Sequence, residues 1–365
     1  MDPNVHVHAE LVQKRKRDRI RVWIEKALCR HVDSSSDILV KPVLDATGQA
    51  LQRTPTRHRQ PKDPLADICV QKDPRTIATY GKLVKIAQGR SGPIYRATRL
   101  GLAVKEVIVP LKEQPYKRLL MEVQALQTIR HHLNHPNVMA LKDHVFMFAQ
   151  GGTRKVWIVA EEGIHGCLAL LIGKIRLTEA QMSVVMRQLL SGVQFVHSVG
   201  WLHRDIKSDN IFVMRGGDIQ LGDFGAACPI HDDSASAGED VAEESVGLVG
   251  TPHWMAPETV ISRHYSQQSD VWSAGMVLHE MVQGEPIMFK ASQAECFARL
   301  AEFKELSTEG MKGSEMLKDF MSKLLSVREK RWTVEQTLEH PFITTYSDTS
   351  PSILLSAVEK LKSTS

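Results

Sequence analysis

The sequence lacks the features that mark secreted, metal-cluster and membrane-spanning proteins. Its five cysteines are an odd number, they are scattered, and no two form a Cys-x-x-Cys pair, which fits neither a disulfide framework nor a zinc site. No apolar run approaches the roughly 18 residues that a membrane span needs, and the first residues form no apolar signal-peptide core. We therefore expect a protein of the cytoplasm or nucleus that has no transmembrane segment.

The net charge of the chain is also small. The formal charge is +4 over 365 residues, too slight an excess to predict nucleic acid binding. The excess is concentrated in the first part of the chain, where a dense basic cluster begins at Lys14 and ends at Arg21. This cluster fits a nuclear-import signal, the solvated face of an appended helix, or a surface that docks on a membrane or partner, and the three interpretations stay open.

Three segments of the chain differ in their residue patterns. Residues 1–75 are interpreted as a basic N-terminal extension that combines a helix with a mobile linker. From about Tyr80, short runs of β-forming residues separated by glycines predict a hairpin-rich sheet. Beyond Thr178, apolar residues recur at helical spacing. The pattern predicts an α+β fold over residues 80–342, with a small β-rich N-terminal lobe and a larger α-helical C-terminal lobe, followed by a short tail at residues 343–365.

A glycine-rich turn joins two of the predicted strands. Gly89 and Gly92 would let backbone N–H groups approach phosphate oxygens that a Cβ atom would block. Ala87 stands where a third glycine is customary, and two glycines in a hairpin are often no more than a tight turn. On the following strand, Lys105 lies within a mostly apolar run, so it needs a paired charge or must reach water. Glu122, in the next helical segment, is its natural partner.

Two motifs in the second half of the chain carry the strongest signal. Residues 203–210 read HRDIKSDN, and a short hairpin later Asp223 opens the triplet Asp-Phe-Gly. Asp205 can orient an acceptor hydroxyl and take its proton, and Lys207 can neutralise charge on a transferred phosphoryl group. Asn210 and Asp223 supply the oxygen ligands that Mg²⁺ prefers. These residues, in this order and spacing, predict ATP-dependent phosphoryl transfer.

These strings, with GTPHWMAPE at residues 250–258, resemble the eukaryotic protein kinase family over residues 80–342. The strings HRDIKSDN, GTPHWMAPE and KIAQGRSG are similar to those of the PAK-like serine/threonine kinases of the STE group. The resemblance implies a two-lobed protein kinase fold with ATP and Mg²⁺ in the cleft. It also implies protein substrates that are phosphorylated on serine or threonine.

The resemblance assigns roles to individual residues of this sequence. It implies catalytic roles for Asp205, Lys207 and Lys105. It implies metal ligands at Asn210 and Asp223. The implied nucleotide site consists of Ile86, Ala87, Gly89, Gly92, Ile94, Ala103, Lys105, Glu122, Glu161 and Gly163.

Three further charged residues are expected to have structural roles around the site. Glu258, the last residue of GTPHWMAPE, is expected to pair with Arg331 and so to anchor the end of the activation segment. Asp270 is expected to hold the backbone of the catalytic loop around His203. Neither carboxylate is expected to take part in the chemistry directly.

The nucleotide site departs from the family pattern at two positions. Ala87 replaces the first loop glycine, the mildest change available, so we expect nucleotide affinity to fall without being lost. Ala160 aligns with the gatekeeper side chain at the back of the adenine site, where a methyl group leaves an enlarged pocket. The second departure predicts that ATP analogues with bulky N6 substituents are accepted.

The activation loop departs from the pattern as well. The threonine that the subfamily phosphorylates is replaced by Gly247. Acidic residues crowd the loop instead: Asp232, Asp233, Glu239, Asp240, Glu243 and Glu244. Three hypotheses stay open: an acidic residue replaces the phosphate that Arg204 would bind, Ser245 is phosphorylated instead, or the charges are simply solvated.

Two alternatives bear on what this protein does and what it binds. No Ile-Ser-x-Pro motif with following histidines precedes residue 80, so the resemblance does not extend to the binding of Rho-family GTPases.

The rival hypothesis is a pseudokinase that acts as a nucleotide-binding scaffold. Its signature would be the loss of Lys105, Asp205, Asn210 or Asp223, and all four are present. The complete segment at residues 250–258 disfavours a small-molecule kinase, and the sequence makes no prediction of oligomeric state.

Overall fold

The structure, a computed structural model, describes residues 69–71, 79–89, 92–109, 113–132, 135–143, 145–150, 153–230, 248–287, 290–304 and 306–363. The basic cluster at residues 14–21 lies outside the described residues, as does the helix expected in the N-terminal extension. The acidic residues of the activation loop, Ser245 and Gly247 also lie outside them.

Six strands form a mixed sheet. The strands are β1 (Val70–Gln71), β2 (Leu83–Gly89), β3 (Gly92–Ala97), β4 (Leu102–Ile108), β5 (Phe146–Gln150) and β6 (Thr153–Glu161). Their order across the sheet is β1-β5-β6-β4-β3-β2. β1 runs parallel to β5, and every other neighbouring pair is antiparallel. Because β1 belongs to the segment that the sequence assigns to the N-terminal extension, part of that segment adds a strand to the sheet edge.

The alternation of side chains gives the sheet two different faces. Val104 of β4 and Val159 of β6 are directly opposite each other and fully buried. Trp157 lies on the same face, and Tyr80 packs edge-on against its ring at a centroid distance of 6.4 Å. The opposite face of β4 carries Lys105 and borders the cleft between the lobes.

One long helix, α1 (Glu113–His131), packs on the cleft side of the sheet. Its buried apolar face consists of Leu119, Val123, Leu126 and Ile129. Residues three or four positions apart share one side of a helix, so these residues form a single apolar stripe. Glu122 is next to Val123 and is buried with it, which brings its carboxylate to the sheet.

The rest of the described chain is mainly helical. The helices are α2 (Leu168–Ile172), α3 (Glu179–Ser198), α4 (Pro257–Ser262), α5 (Gln267–Gln283), α6 (Gln293–Ala301), α7 (Glu315–Leu324), α8 (Val334–Leu338), α9 (Pro341–Thr344) and α10 (Leu355–Ser363). Four short strands form two small antiparallel sheets. In one, β7 (Trp201–Leu202) pairs with β10 (Cys228–Pro229), and in the other, β8 (Ile211–Val213) pairs with β9 (Ile219–Leu221).

Helices α3 and α5 form the centre of the helical lobe. Helix α3 begins with a capping box, in which the Gln181 N–H donates to the Thr178 hydroxyl and the Gln181 side chain accepts from the Thr178 N–H. Residues 269–278 of α5 are all buried. Gly275 allows close packing there, because a Cβ atom would lie only 2.8 Å from Leu324.

The predicted α+β, two-lobed fold is confirmed, with a sheet lobe followed by a helical lobe. Among the residues that the structure describes, none of the helices combines the length and the apolar character needed to cross a bilayer.

The C-terminal segment is part of the hydrophobic core. Leu354 is fully buried, and Ala357 and Val358 of α10 are nearly so, in the same apolar cluster as α3 and α5. The Gln181 side chain of α3 donates to the Ile353 carbonyl at 3.1 Å. The short tail expected from the sequence at residues 343–365 therefore supports the central helix.

Replacing Leu354 by alanine tests this contribution. We expect Leu354→Ala to lower the free energy of unfolding by about 3 kcal/mol, because it leaves a cavity in a packed core. Urea unfolding, followed by tryptophan fluorescence, measures the loss. Lys362→Ala, an exposed change on the helix α10 that follows Leu354, is the control. Equal stability of the two variants would show that the tail does not contribute to the core.

Candidate active site

The charge pair expected from the sequence is formed in the cleft. The Lys105 ammonium lies 2.6 Å from Glu122 Oε1 and 3.0 Å from Asp223 Oδ1. One residue comes from β4, one from α1 and one from the loop after β9, so the contact joins both lobes. Lys105 and Glu122 are largely buried, whereas 45% of the Asp223 side chain is exposed towards the cleft.

The shared ammonium sets the charge state of this cluster. Burial tends to lower the pKa of Lys105, but the neighbouring Glu122 and Asp223 carboxylates outweigh it and raise that pKa above its ordinary value. Burial likewise tends to raise the pKa of Asp223, but Lys105 holds the net pKa below its ordinary value. Lys105 therefore stays cationic and Asp223 anionic at neutral pH.

The backbone around Asp223 directs its carboxylate towards the cleft. Asp223 has a positive φ of 59°, which is uncommon for a residue with a side chain. The next residue, Phe224, is 1% exposed and packs edge-on against His203 at a centroid distance of 4.9 Å. The His203 ring contacts the Gly222 carbonyl through Nε2 at 3.0 Å. The buried Phe224 side chain thus fixes the orientation of Asp223.

A buried carboxylate organises the catalytic loop, as expected for Asp270. Its two oxygens accept hydrogen bonds from the backbone N–H groups of His203 and Arg204, each at 2.9 Å, and His197 Nε2 lies 2.9 Å away. Burial tends to raise the Asp270 pKa, but the contacts with His197 and His203 hold it below its ordinary value. Arg204 adopts a positive φ of 64°, a strained conformation that these bonds stabilise.

Asp205, Lys207 and Thr251 form one hydrogen-bonded group. The Thr251 hydroxyl donates to Asp205 Oδ1 at 2.6 Å. The Lys207 ammonium donates to Asp205 Oδ2 at 3.0 Å and to the Thr251 hydroxyl oxygen at 2.8 Å. The sequence predicted the first two residues as catalytic, but it did not single out the Thr251 hydroxyl as their partner.

Asn210 and Asp223 fit a magnesium site by their chemistry. The Asn210 amide nitrogen donates to the Asp205 carbonyl at 2.8 Å, so its carbonyl oxygen is the side-chain atom left for a cation. Among the described residues, no group of three or more His, Cys, Asp or Glu side chains could hold a metal by itself. Two oxygen donors suit Mg²⁺, which typically keeps water and substrate phosphates as its remaining ligands.

The glycine hairpin lies over the cleft at β2 and β3. Gly89 pairs with Gly92 at its tip. Gly92 has φ +152°, and a Cβ atom there would lie 2.0 Å from the Glu106 carbonyl oxygen, so no side chain fits. Ala87 pairs with Ile94 beside an irregularity in the strand register, and its φ is not positive. The backbone of Ala87 is therefore one that alanine can adopt.

The predicted adenine side of the cleft has small side chains. Ala103 is directly opposite Ala160, which places two methyl groups side by side on adjacent strands. Ile86, on β2, is 40% exposed. Glu161 pairs with Lys142 at 2.7 Å, so its backbone rather than its carboxylate is available to a nucleotide.

Phe212 was not predicted as a site residue. A Cβ atom on Gly163 would lie 3.2 Å from the Phe212 ring, and one on Gly222 would lie 3.1 Å from the same ring. The ring therefore fills the space between the connection after β6 and the loop that carries Asp223. The sequence feature that could have indicated Phe212 as a site residue is its aromatic type, two positions after Asn210.

The anchor of the activation segment has the predicted geometry. Arg331, 3% exposed, donates to both carboxylate oxygens of Glu258, at 2.6 and 3.0 Å. Such a bidentate pair fixes direction as well as distance. The last turn of the segment is therefore held on the helical core.

A buried carboxylate lies behind the catalytic loop. The Ser208 hydroxyl donates to Glu280 Oε1 at 2.7 Å. Glu280 is 7% exposed, and burial, with a smaller contribution from the charge of Asp209, raises its pKa from 4.5 to about 7. Ionisation of Glu280 therefore disfavours the folded state as the pH rises from about 5 to about 8.

Replacing Glu280 by glutamine should remove this pH dependence. Relative to Glu280→Gln, we expect the wild type to lose about 3 kcal/mol of stability between pH 5 and pH 8, which corresponds to the pKa shift. Urea unfolding of both proteins at the two pH values measures the difference. Glu309→Gln, at an exposed position, is the control. A stability difference that does not change with pH would contradict the assignment.

Sequence comparison finds protein kinases that are similar to this chain. The serine/threonine-protein kinase STE20 of Saccharomyces cerevisiae is 34% identical over 306 residues, which cover 81% of this chain and 30% of that protein. STE20 of Kluyveromyces lactis is 33% identical over 304 residues, which cover 81% of this chain and 29% of that protein. The kinase shk1/pak1 of Schizosaccharomyces pombe is 34% identical over 288 residues, which cover 76% of this chain and 40% of that protein. The chain thus spans less than half the length of these relatives, and the predicted resemblance to PAK-like kinases is confirmed.

The protein kinase domain family matches residues 80–343 of the chain. This range contains the Lys105 cluster, the catalytic loop, the Asp270 carboxylate and the Glu258–Arg331 pair. The family implies ATP as substrate and a divalent metal as cofactor. From the family match and from the geometry of these groups, we conclude that this chain belongs to the protein kinase family.

Proposed function

We propose that this chain transfers the γ-phosphoryl group of ATP to serine or threonine hydroxyls of protein substrates. The observation that carries the proposal is the simultaneous presence of two intact networks. Lys105 contacts both Glu122 and Asp223, and Asp205 contacts both Lys207 and Thr251. A scaffold that only binds nucleotide has no need of the second network.

The second network provides the groups that the transfer requires. Asp205 is placed to accept a hydrogen bond from the substrate hydroxyl and to take its proton as the new O–P bond forms and the bond from the γ-phosphorus to the ADP oxygen breaks. Lys207 adds positive charge beside it, where the transferred phosphoryl group would pass. Mg²⁺, held by Asn210 and Asp223, would neutralise charge on the phosphate oxygens when bound.

Lys105 and the glycine hairpin position the nucleotide in this proposal. The Lys105 ammonium is held by two carboxylates, so its position is fixed before a phosphate arrives, and no reorganisation is needed on binding. Gly89 and Gly92 let backbone N–H groups come close to the phosphates. Ala103, Ala160 and Phe212 would enclose the base.

The choice of serine and threonine rests on the Lys207–Thr251 contact and on similarity. The resemblance associates a lysine at this place in the catalytic loop, with a threonine before the APE sequence, with serine/threonine kinases, and the relatives are named as such. The cytoplasmic or nuclear location expected from the sequence stays a prediction, as does the absence of Rho-family GTPase binding.

Kinase assays of two variants test the proposal. We expect Asp205→Asn and Lys105→Met each to lower kcat by about 100-fold or more on a generic basic protein substrate. Incorporation of labelled phosphate from ATP with Mg²⁺ measures the rate, and Lys85→Met, on an exposed strand position, is the matched control. Absence of transfer by the wild type, with ATP still bound, would favour the pseudokinase instead.

The same assay, repeated after phosphatase treatment, separates the activation hypotheses. Activity that survives treatment and the Ser245→Ala substitution, but is lost when the acidic residues of the loop are neutralised, favours an acidic replacement for the phosphate. Activity that survives all three changes favours charges that are simply solvated. Activity that is lost on phosphatase treatment or on Ser245→Ala favours Ser245 as the phosphorylation site.

The small side chain of Ala160 predicts an unusual nucleotide preference. We expect N6-benzyl-ATP to compete with ATP in the wild type, because two adjacent methyl groups leave space for the benzyl group. Ala160→Met should weaken that competition by at least about tenfold, since a larger side chain overlaps with the substituent. Inhibition of labelled transfer measures both. Equal competition in the two proteins, each active with ATP, would contradict the prediction.

A further inference from the structure

Tyr265 contacts the activation segment just before Thr251. It lies in the connection between α4 and α5, and its side chain is half-buried. The Tyr265 hydroxyl accepts a hydrogen bond from the Val249 N–H at 2.8 Å and donates to the Val249 carbonyl at 2.9 Å. One hydroxyl thus satisfies both backbone polar groups of a residue that is not in a helix or strand.

The ring of Tyr265 contacts the residue that precedes Asp205. The Arg204 guanidinium lies 4.9 Å from the Tyr265 ring centroid, a cation–π distance. Arg204 Nε also donates to the Ala226 carbonyl at 2.7 Å, near the start of the activation segment. Tyr265 and Arg204 therefore connect the start of this segment with its end through the catalytic loop.

The backbone between Val249 and Thr251 has little freedom to move. Gly250 has φ +113°, and a Cβ atom there would lie 2.6 Å from the Arg204 carbonyl oxygen. The Gly250 backbone therefore runs directly against the catalytic loop. One residue later, the Thr251 hydroxyl donates to Asp205. The position of this hydroxyl depends on where Val249 is held.

We propose that Tyr265 is a positioning residue for catalysis: its hydroxyl holds Val249, and so keeps the Thr251 hydroxyl on Asp205 while Arg204 stacks on the Tyr265 ring. The proposal rests on the kinase activity proposed above. The side-chain and backbone contacts on which it depends need no modification of the chain. The contacts that carry the proposal are those of Tyr265 with Val249 and Arg204, so we expect its effect on the orientation of Asp205 and Thr251.

The variant Tyr265→Phe removes the hydroxyl and keeps the ring beneath Arg204. We expect kcat to fall about tenfold, since two hydrogen bonds to Val249 are lost, while the KM for ATP changes less than twofold. Tyr346→Phe, at another half-buried tyrosine, is the matched control and should leave both values unchanged. A kcat within twofold of the wild type would overturn the proposal, as would a change confined to the KM for the protein substrate.

A double variant tests whether the effect passes through Thr251. In the Thr251→Val background, adding Tyr265→Phe should lower the residual kcat by less than twofold, because the hydroxyl that it positions is already absent. The same tenfold loss in that background would show that Tyr265 acts by another route and would overturn the proposal.

Amide hydrogen exchange provides a readout that does not need activity. Tyr265→Phe should speed exchange at least fivefold in a peptide covering residues 248–252, and leave a peptide from α3 unchanged. Unchanged exchange at residues 248–252 overturns the proposal even if the protein proves to be inactive. If the wild type is inactive but exchange is faster in the variant, the proposed function is rejected, and the contact between Tyr265 and Val249 is still supported.

Discussion

The active site depends on a charge buried inside the helical lobe. Asp270 is 2% exposed, in the first turn of α5, and its carboxylate accepts the backbone N–H groups of His203 and Arg204. A carboxylate at that depth without partners would cost several kcal/mol, so the core is stable only with the catalytic loop docked. The loop in turn carries a strained backbone at Arg204, which the same carboxylate holds. The same contacts of Asp270 therefore stabilise the core and position the catalytic loop.

A second buried charge connects the two lobes. Lys105 of the sheet contacts Glu122 of α1 and Asp223 of the helical lobe, and two carboxylates share one ammonium. The exposed part of the cluster is the Asp223 carboxylate, which faces the cleft. An excess of carboxylate oxygen at that point suits a divalent cation, while Lys105 itself suits an anionic phosphate. The same three residues thus prepare the cleft for a metal and for a nucleotide.

The sequence was sufficient where a residue type by itself limits the options. A lysine in a mostly apolar strand needs a partner, and the resemblance to protein kinases indicated the helical Glu122 as that partner. It was not sufficient for Phe212 and Tyr265, whose roles arise from contacts with residues 10 to 61 positions away in the chain. Neither side chain is charged, so nothing in its type signals the contact. The Ala87 departure also needed the structure, because the strand irregularity beside it could not be inferred from composition.

The sequence by itself determined the family, the lobe order and the identity of the charged groups, because those follow from motifs and from the period of apolar residues. Only the tertiary structure decided which groups meet. It brought β1 from the predicted extension onto the sheet edge, and it buried Leu354 and Val358 of the predicted tail under the central helix. It also joined Arg204, Tyr265 and Val249 across the activation segment. Such contacts depend on where the chain returns in space, and short-range patterns do not encode that return.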